Sequence, residues 1–294
     1  MRRIAVTLAL CLASVAGVLI ALREGFRHQA RIARRVIGKP LGDDPHSADR
    51  TYKKSYGDPI ELLLLGDSIA AGLGAETAQQ TLGAQLARRV AKRMRRAVRL
   101  HTAAFVGAES SMLRAQLTSL PRHYRPDVAV IVVGGNDVTH RVKTSESRRH
   151  LAEVVGALRE RDIPVVVGTC PDLGMLTAVP QPLRSLGSRA SRQLATAQRE
   201  VTTELGGIAV SLADVVGPFF IARPDEMFAV DRFHPSSAGH RRTAKALLPS
   251  VLSALGWTHA LPWGHHGPPD RQPDRQPNRP PHHADPGRGE TGVW

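Results

Sequence analysis

What this 294-residue chain has little of narrows its function before any motif is read. It holds two cysteines, too few for a disulfide framework, with Cys11 in an apolar N-terminal run and Cys170 alone in the body of the chain. Neither reveals a redox compartment, and Cys170, close behind the apolar run Val165 to Gly168, reads as a small apolar filler rather than a reactive thiol. Phe, Tyr and Trp make up only 4% of the residues, and no basic run is interleaved with them, so single-stranded nucleic acid would find no stacking platform. No nucleic-acid partner is expected. His265-His266 and His282-His283 have no carboxylate or thiol at ligand spacing, which argues against a metal site. Acidic side chains are also scarce, 26 against 40 Lys and Arg, for a formal net charge of +14. That excess suits acidic lipid headgroups, or an arginine-rich surface that binds nothing.

What is present describes a folded chain with appendages. The apolar share of 42% and charged share of 22% lie near the globular norms of about 45 to 50% and about 25%. Arg2 and Arg3 precede an uncharged stretch, Ile4 to Leu22, that matches the roughly 20 residues a helix needs to cross a hydrocarbon core. This predicts a membrane anchor over 1–22, read here as uncleaved. Ser14-Val15-Ala16 offers a small-residue cleavage site, which would give a secreted form instead. Arg23, Arg27, Arg31, Arg34, Arg35 and Lys39 make 23–56 a basic juxtamembrane linker and lean its side of the span toward the cytoplasm. The expected location is therefore a membrane, held by a single N-terminal pass.

From 57 to 256 the sequence reads as alternating strands and helices. Ile60 to Leu65 is nearly all apolar and stops at Gly66, as a strand buried on both faces would. Asp127 to Val133, Ile163 to Gly168 and Ile208 to Leu212 repeat that pattern at helix-length intervals, which predicts a parallel sheet covered by helices on both faces. Leu82, Leu86, Val90 and Met94 recur every four residues among Arg88, Arg89, Lys92, Arg93, Arg95 and Arg96, giving an amphipathic helix with a basic outer face. The last helix is expected to begin at the cap Ser236 and to turn Ala244, Leu247, Leu248, Val251 and Leu255 inward. Phe219-Phe220 and the stretch Pro171 to Leu186 are read as packing and loop in preference to walls of a groove. Residues 257–294, rich in Pro, Arg, Asp and His and echoing Asp270-Arg271-Gln272-Pro273 in Asp274-Arg275-Gln276-Pro277, form an expected disordered tail.

Four short stretches carry residues able to do chemistry. Gly66-Asp67-Ser68 ends the first long strand, so the Ser68 hydroxyl would emerge at the carboxyl edge of the sheet, where open parallel sheets place their sites. Taken alone, such a serine is more often a helix cap than a nucleophile. In Asp231-Arg232-Phe233-His234-Pro235 a histidine follows an aspartate by three residues on a loop, the spacing of a base and the carboxylate that orients it. Gly134-Gly135-Asn136-Asp137 closes another strand and offers the Asn136 amide to a developing oxyanion, or simply an Asn for a turn. Phe105-Val106-Gly107-Ala108 offers a glycine where a backbone N–H can approach a ligand, or a tight turn.

In this order, over Ile60 to Leu255, the four blocks resemble the SGNH, or GDSL-like, hydrolase family. The resemblance implies a flavodoxin-like three-layer α/β/α sandwich with a central parallel sheet, and a serine esterase or lipase acting on lipid acyl or O-acyl sugar esters. It further implies Ser68 as nucleophile, Asp231 and His234 as the rest of a triad, and an oxyanion hole built from the Ser68 and Gly107 N–H groups and the Asn136 side chain, with no cofactor or metal. A Gly-x-Ser-x-Gly elbow is absent around Ser68, which disfavours the α/β-hydrolase fold. Two rivals share the same residues: an acyltransferase that passes the acyl group to an alcohol or sugar, and a membrane-tethered binding module without catalysis.

Overall fold

The computed structural model describes residues 2–38 and 40–268. In chain order these form α1 (Arg2–Ile37), β1 (Thr51–Tyr52), β2 (Ile60–Gly66), α2 (Ser68–Ala71), α3 (Leu82–Met94), β3 (Val98–Thr102), α4 (Leu113–Thr118), β4 (Val128–Val132), α5 (Gly135–His140) and α6 (Thr144–Arg159). They continue as β5 (Val165–Gly168), α7 (Leu183–Glu204), β6 (Ile208–Val210), α8 (Leu212–Val215), α9 (Gly217–Ala222), α10 (Pro224–Met227), α11 (Ser237–Ala254) and β7 (His265–His266). The sheet order is β1-β3-β2-β4-β5-β6-β7, with β3, β2, β4, β5 and β6 mutually parallel and the two-residue edges β1 and β7 antiparallel.

Strand periodicity sorts the core onto two faces. Leu62, Leu64, Val128, Val130 and Val132 point to one side, where they meet Leu82, Leu86 and Val90 of α3 and Ala244, Leu247 and Val251 of α11. Leu63, Leu65, Ala129, Ile131 and Val133 point to the other and meet Leu151, Val154 and Leu158 of α6 with Val201 of α7. The expected three layers follow directly: an apolar strand needs a helix on each face, because neither can be left to water.

Both expected borders of the 57–256 domain are crossed. Ahead of it, Tyr52 and Ala48 are buried with the core, tied by a 2.7 Å bond from the Tyr52 hydroxyl to the Ala48 carbonyl. Behind it, the chain does not stop being ordered at Gly256: β7 pairs with the β6 edge, and Ser250 Oγ lies 2.7 Å from His265 Nδ1. Unpaired amides at the β6 edge recruit a segment whose side chains alone give no strand signal. The echoing repeat and His282-His283 lie outside the described residues.

At the N-terminus α1 runs without a break past the expected border at residue 22. Leu10, Leu12, Val15, Val18, Leu19, Ile20 and Leu22 are all exposed on it. Among the described residues, no helix is long and apolar enough to cross a membrane, so the expected single-pass span is not supported. Near its end, Gln29 Oε1 accepts from Leu183 N at 3.1 Å, setting α1 against the start of α7.

The tightest contact in the sheet falls at its carboxyl edge. Gly66 has φ +133°, and a Cβ there would lie 1.8 Å from the Val132 carbonyl oxygen of β4. Only glycine fits, both for its backbone angle and for the space. Gln116 seals the spot by accepting from Gly66 N at 2.8 Å and donating to Gly66 O at 2.7 Å. Gly66→Ala is therefore expected to cost at least about 3 kcal/mol of folding stability by urea titration, whereas Gly107→Ala, with φ +83° but nothing within 4 Å of the added carbon, pays backbone strain alone, about 1 kcal/mol.

Candidate active site

Two loops leave the carboxyl edge of the sheet side by side, and a third, between two helices, meets them there. β2 passes through Gly66 into Asp67, whose carboxylate caps α2 by accepting from Ile69 N at 3.0 Å, and Ser68 begins that helix with its side chain largely buried. β4 passes through Gly134 into α5, placing Asn136 in its first turn. The third loop, between α10 and α11, is held by a backbone bridge between Phe228 and Pro235 and by the bond from Ala229 N to His234 O at 2.8 Å.

That closure brings His234 to Ser68 across 166 positions of sequence. His234 Nε2 lies 3.0 Å from Ser68 Oγ, and His234 Nδ1 lies 2.6 Å from Asp231 Oδ2. A carboxylate accepts only, so Nδ1 carries the proton and Nε2 presents a lone pair to the serine hydroxyl. Burial raises the Asp231 carboxyl, but bonds from His234 Nδ1, Phe233 N and His234 N outweigh it and leave its pKa below the usual carboxylate value. Asp231 is thus ionised and held at both oxygens: Oδ1 accepts from Phe233 N and His234 N, each at 3.0 Å, and Oδ2 accepts from the imidazole.

The sequence candidates for oxyanion donors do not all reach the same place. Asn136 lines the cavity beside Ser68, and its Nδ2 donates one hydrogen to the Ala108 carbonyl at 2.9 Å, which fixes the amide and leaves its second hydrogen free. Gly107 is one residue away from that carbonyl but stays exposed and outside the cavity lining. Its loop is pinned to α5 by Asp137, a fully buried carboxylate that accepts from Ser110 N at 3.1 Å and from Ser147 Oγ at 2.7 Å.

The cavity itself is strongly apolar. Leu173, Met175 and Leu176 from the segment after β5 face Leu212, Val216, Phe220, Phe228 and Phe233, with Ser68, Asn136 and His234 at one end. Phe220 and the Pro171–Leu176 stretch therefore wall the site, correcting the sequence reading that favoured simple packing and loop. Cys170 is fully buried, and burial pushes its thiol well above the ordinary value, as a filler rather than a nucleophile requires. Among the described residues no cluster of His, Cys, Asp and Glu is arranged to hold a metal ion.

Residues 64–242 match the model of the GDSL-like lipase/acylhydrolase family. A GDSL-like esterase of Mycobacterium tuberculosis is 37% identical over 266 residues, covering 86% of this chain and 83% of the relative. The chain belongs to the GDSL-like lipase/acylhydrolase family. It is a hydrolase acting on ester bonds, and its substrate is a small-molecule ester. The fold matches that of TesA, at 24% identity with a TM-score of 0.54 over 66% of this chain and 99% of that one, and that of the psychrotrophic esterase EstA from Pseudoalteromonas sp., at 17% and 0.52 over 67% and 99%. At those identities the likeness is one of fold.

The sequence reading gives Asp67 no role beyond its place in Gly66-Asp67-Ser68, yet in this GDSL-like acylhydrolase it is a buried carboxylate next to the serine. Burial pushes its pKa up to about 6, against the lowering effect of bonds from Ile69 N and Gly134 N and of nearby His234, while Asp137 adds to the rise. A folded-state pKa above the unfolded value of 3.8 means that the unfolded chain gives up this proton first. The contribution of Asp67 to stability is full below about pH 4 and is lost as the pH climbs through 6. The stability of wild type relative to Asp67→Asn is thus expected to fall by about 3 kcal/mol between pH 4 and pH 7, measured by urea titration at each pH. A difference independent of pH would show that Asp67 has no such shift.

Proposed function

We propose that the protein hydrolyses carboxylic esters through an acyl-enzyme on Ser68. The observation that carries this reading is the unbroken chain from Asp231 Oδ2 to His234 Nδ1 at 2.6 Å and from His234 Nε2 to Ser68 Oγ at 3.0 Å. His234 takes the serine proton as Oγ attacks the ester carbonyl, and the new imidazolium is stabilised by the ionised Asp231. The oxyanion forms beside the N–H of Ser68, which as the first residue of α2 has no helical partner, and beside the free hydrogen of Asn136. The Gly107 N–H is the third proposed donor, on the loop whose Ala108 carbonyl holds the Asn136 amide. His234 then returns the proton to the leaving alcohol and activates the water that frees the acid.

The apolar cavity favours an acyl chain over a sugar as the group bound next to Ser68. A hydroxyl-rich ring would lose hydrogen bonds to water against Leu173, Leu176 and Phe220 and recover few, whereas each buried methylene contributes about 0.8 kcal/mol. The experiment is a fluorophosphonate labelling of Ser68 followed by kinetics on p-nitrophenyl esters from acetate to decanoate. Ser68→Ala and His234→Ala are expected to lose labelling and about 10⁶ in kcat, and Asn136→Ala about 10² to 10³. kcat/KM should rise from acetate into medium chain lengths; acetate as the best ester would overturn the acyl-cavity reading, and an unlabelled folded wild type would overturn the serine mechanism.

For location we propose association with an acidic lipid surface through α1 without a span. Support comes from its exposed Leu10, Val15, Val18, Leu19 and Leu22, followed by Arg23, Arg27, Arg31, Arg34 and Arg35. Full-length protein should float with vesicles containing phosphatidylserine while residues 40–294 stay behind; equal flotation of both would remove α1 from the account.

A further inference from the structure

His240 is a fully buried imidazole that the chemistry at Ser68 does not use. It sits on α11, six residues beyond His234, and its Nε2 lies 2.9 Å from the Leu73 carbonyl oxygen. A carbonyl only accepts, so Nε2 carries the hydrogen and the tautomer is fixed. The ring's Nδ1 has no hydrogen-bond partner among the described residues. Burying an imidazole with one nitrogen unpaired costs stability that a leucine of similar volume would not, so the bond to Leu73 must be what the side chain is there to make.

Leu73 is not an arbitrary partner. Its N–H donates to the Ser68 carbonyl at 2.9 Å and the Gly72 N–H does so at 3.0 Å, so this peptide closes the turn that the nucleophile opens. On the other side, α11 is joined to His234 through Pro235 and the cap Ser236, whose Oγ accepts from Ala238 N and Gly239 N and whose carbonyl accepts from His240 N at 2.8 Å. The two segments are pressed together beside that bond: a Cβ on Gly74 would lie 2.2 Å from the Pro235 carbonyl, and Glu76 N donates to Ser237 Oγ at 3.1 Å.

We infer that His240 is a positioning residue for the hydrolysis: its bond to Leu73 clamps the turn after Ser68 onto α11, the helix that follows the His234 loop, and so sets the distance between nucleophile and base. The inference rests on the serine mechanism proposed above. Neutrality suits the task. Burial pushes His240 down to about 4, the bond to Leu73 opposes that, and the charge on His234 lowers it further, so the clamp stays a neutral donor when His234 takes up its proton during turnover.

The test compares three substitutions in the full chain, after fluorophosphonate labelling of wild-type Ser68 has shown the serine to be activated. A wild type that takes no label removes the mechanism and this inference with it. Given labelling, His240→Leu is expected to lower kcat about 10- to 100-fold with KM changed less than about twofold, since a small displacement of reacting groups costs rate rather than binding. His240→Gln, whose amide nitrogen falls near the place of Nε2, should recover kcat to within about threefold of wild type, while His240→Asn, whose amide is too short to reach Leu73, should not. A folded His240→Leu with wild-type kcat overturns the inference. Should that variant not fold, the Gln and Asn variants decide: equal rates for the two overturn it, and a rate kept by Gln alone supports it.

Discussion

The Val132 carbonyl sits where a side-chain carbon on residue 66 would begin, and that exclusion sets up the active site. With glycine at 66 the chain can turn at φ +133° and still give Asp67 N to the same carbonyl at 2.9 Å, so β2 and β4 leave the sheet together. The parallel register that pairs Gly66 with Val132 then carries Ser68 and Asn136 out as neighbours. A larger residue at 66 would push the strands apart at the one edge where a sub-ångström spacing decides whether an amide reaches an oxyanion. The core behind it, with leucines and valines alternating between two helical faces, is what keeps this edge from yielding.

Around that edge the protein concentrates negative charge. Asp67, Asp137 and Asp231 are all nearly inaccessible, and each is handled differently. Asp137 is spent on Ser110 and Ser147, fastening the Gly107 loop to the helix that carries Asn136. Asp231 is saturated by three donors and stays ionised, ready to support an imidazolium. Asp67 has donors too, but burial wins, and its proton is held up to about pH 6.

The parts of this arrangement that were legible in the sequence are those written in local pattern. Ile60 to Leu65 announces a doubly buried strand, Leu82 to Met94 an amphipathic helix, and Ser236 a cap, and the structure has each of them. Gly-Asp-Ser and Asp-x-x-His-Pro pointed to Ser68, Asp231 and His234, which the fold brings within hydrogen-bond distance across 166 positions of sequence. What stayed hidden depends on partners that no local pattern names. β7 exists because β6 has a free edge, not because His265-His266 looks like a strand. Phe220 and Leu176 are ordinary core residues by composition, and become cavity walls only when α9 and the segment after β5 face each other. Asp67 and Asp137 were in plain view within recognised motifs, but burial, which sets their behaviour, is a property of the fold.

The loop bearing His234 shows how few residues this geometry requires. Arg232 takes a left-handed conformation, with φ +55°, so that Asp231 and His234 can turn back toward each other within three residues. One Asp231 oxygen satisfies the two amides that this turn would otherwise leave bare, and the other oxygen orients the imidazole. The edge of Phe233 against the His234 ring, at 4.9 Å and 81°, closes the remaining direction of swing. Because the same carboxylate holds both backbone and ring, the base cannot rotate away without the loop unwinding as well. The orienting of the base is thus built into the folding of its loop, and the entropy of fixing the imidazole is lost before any ester arrives.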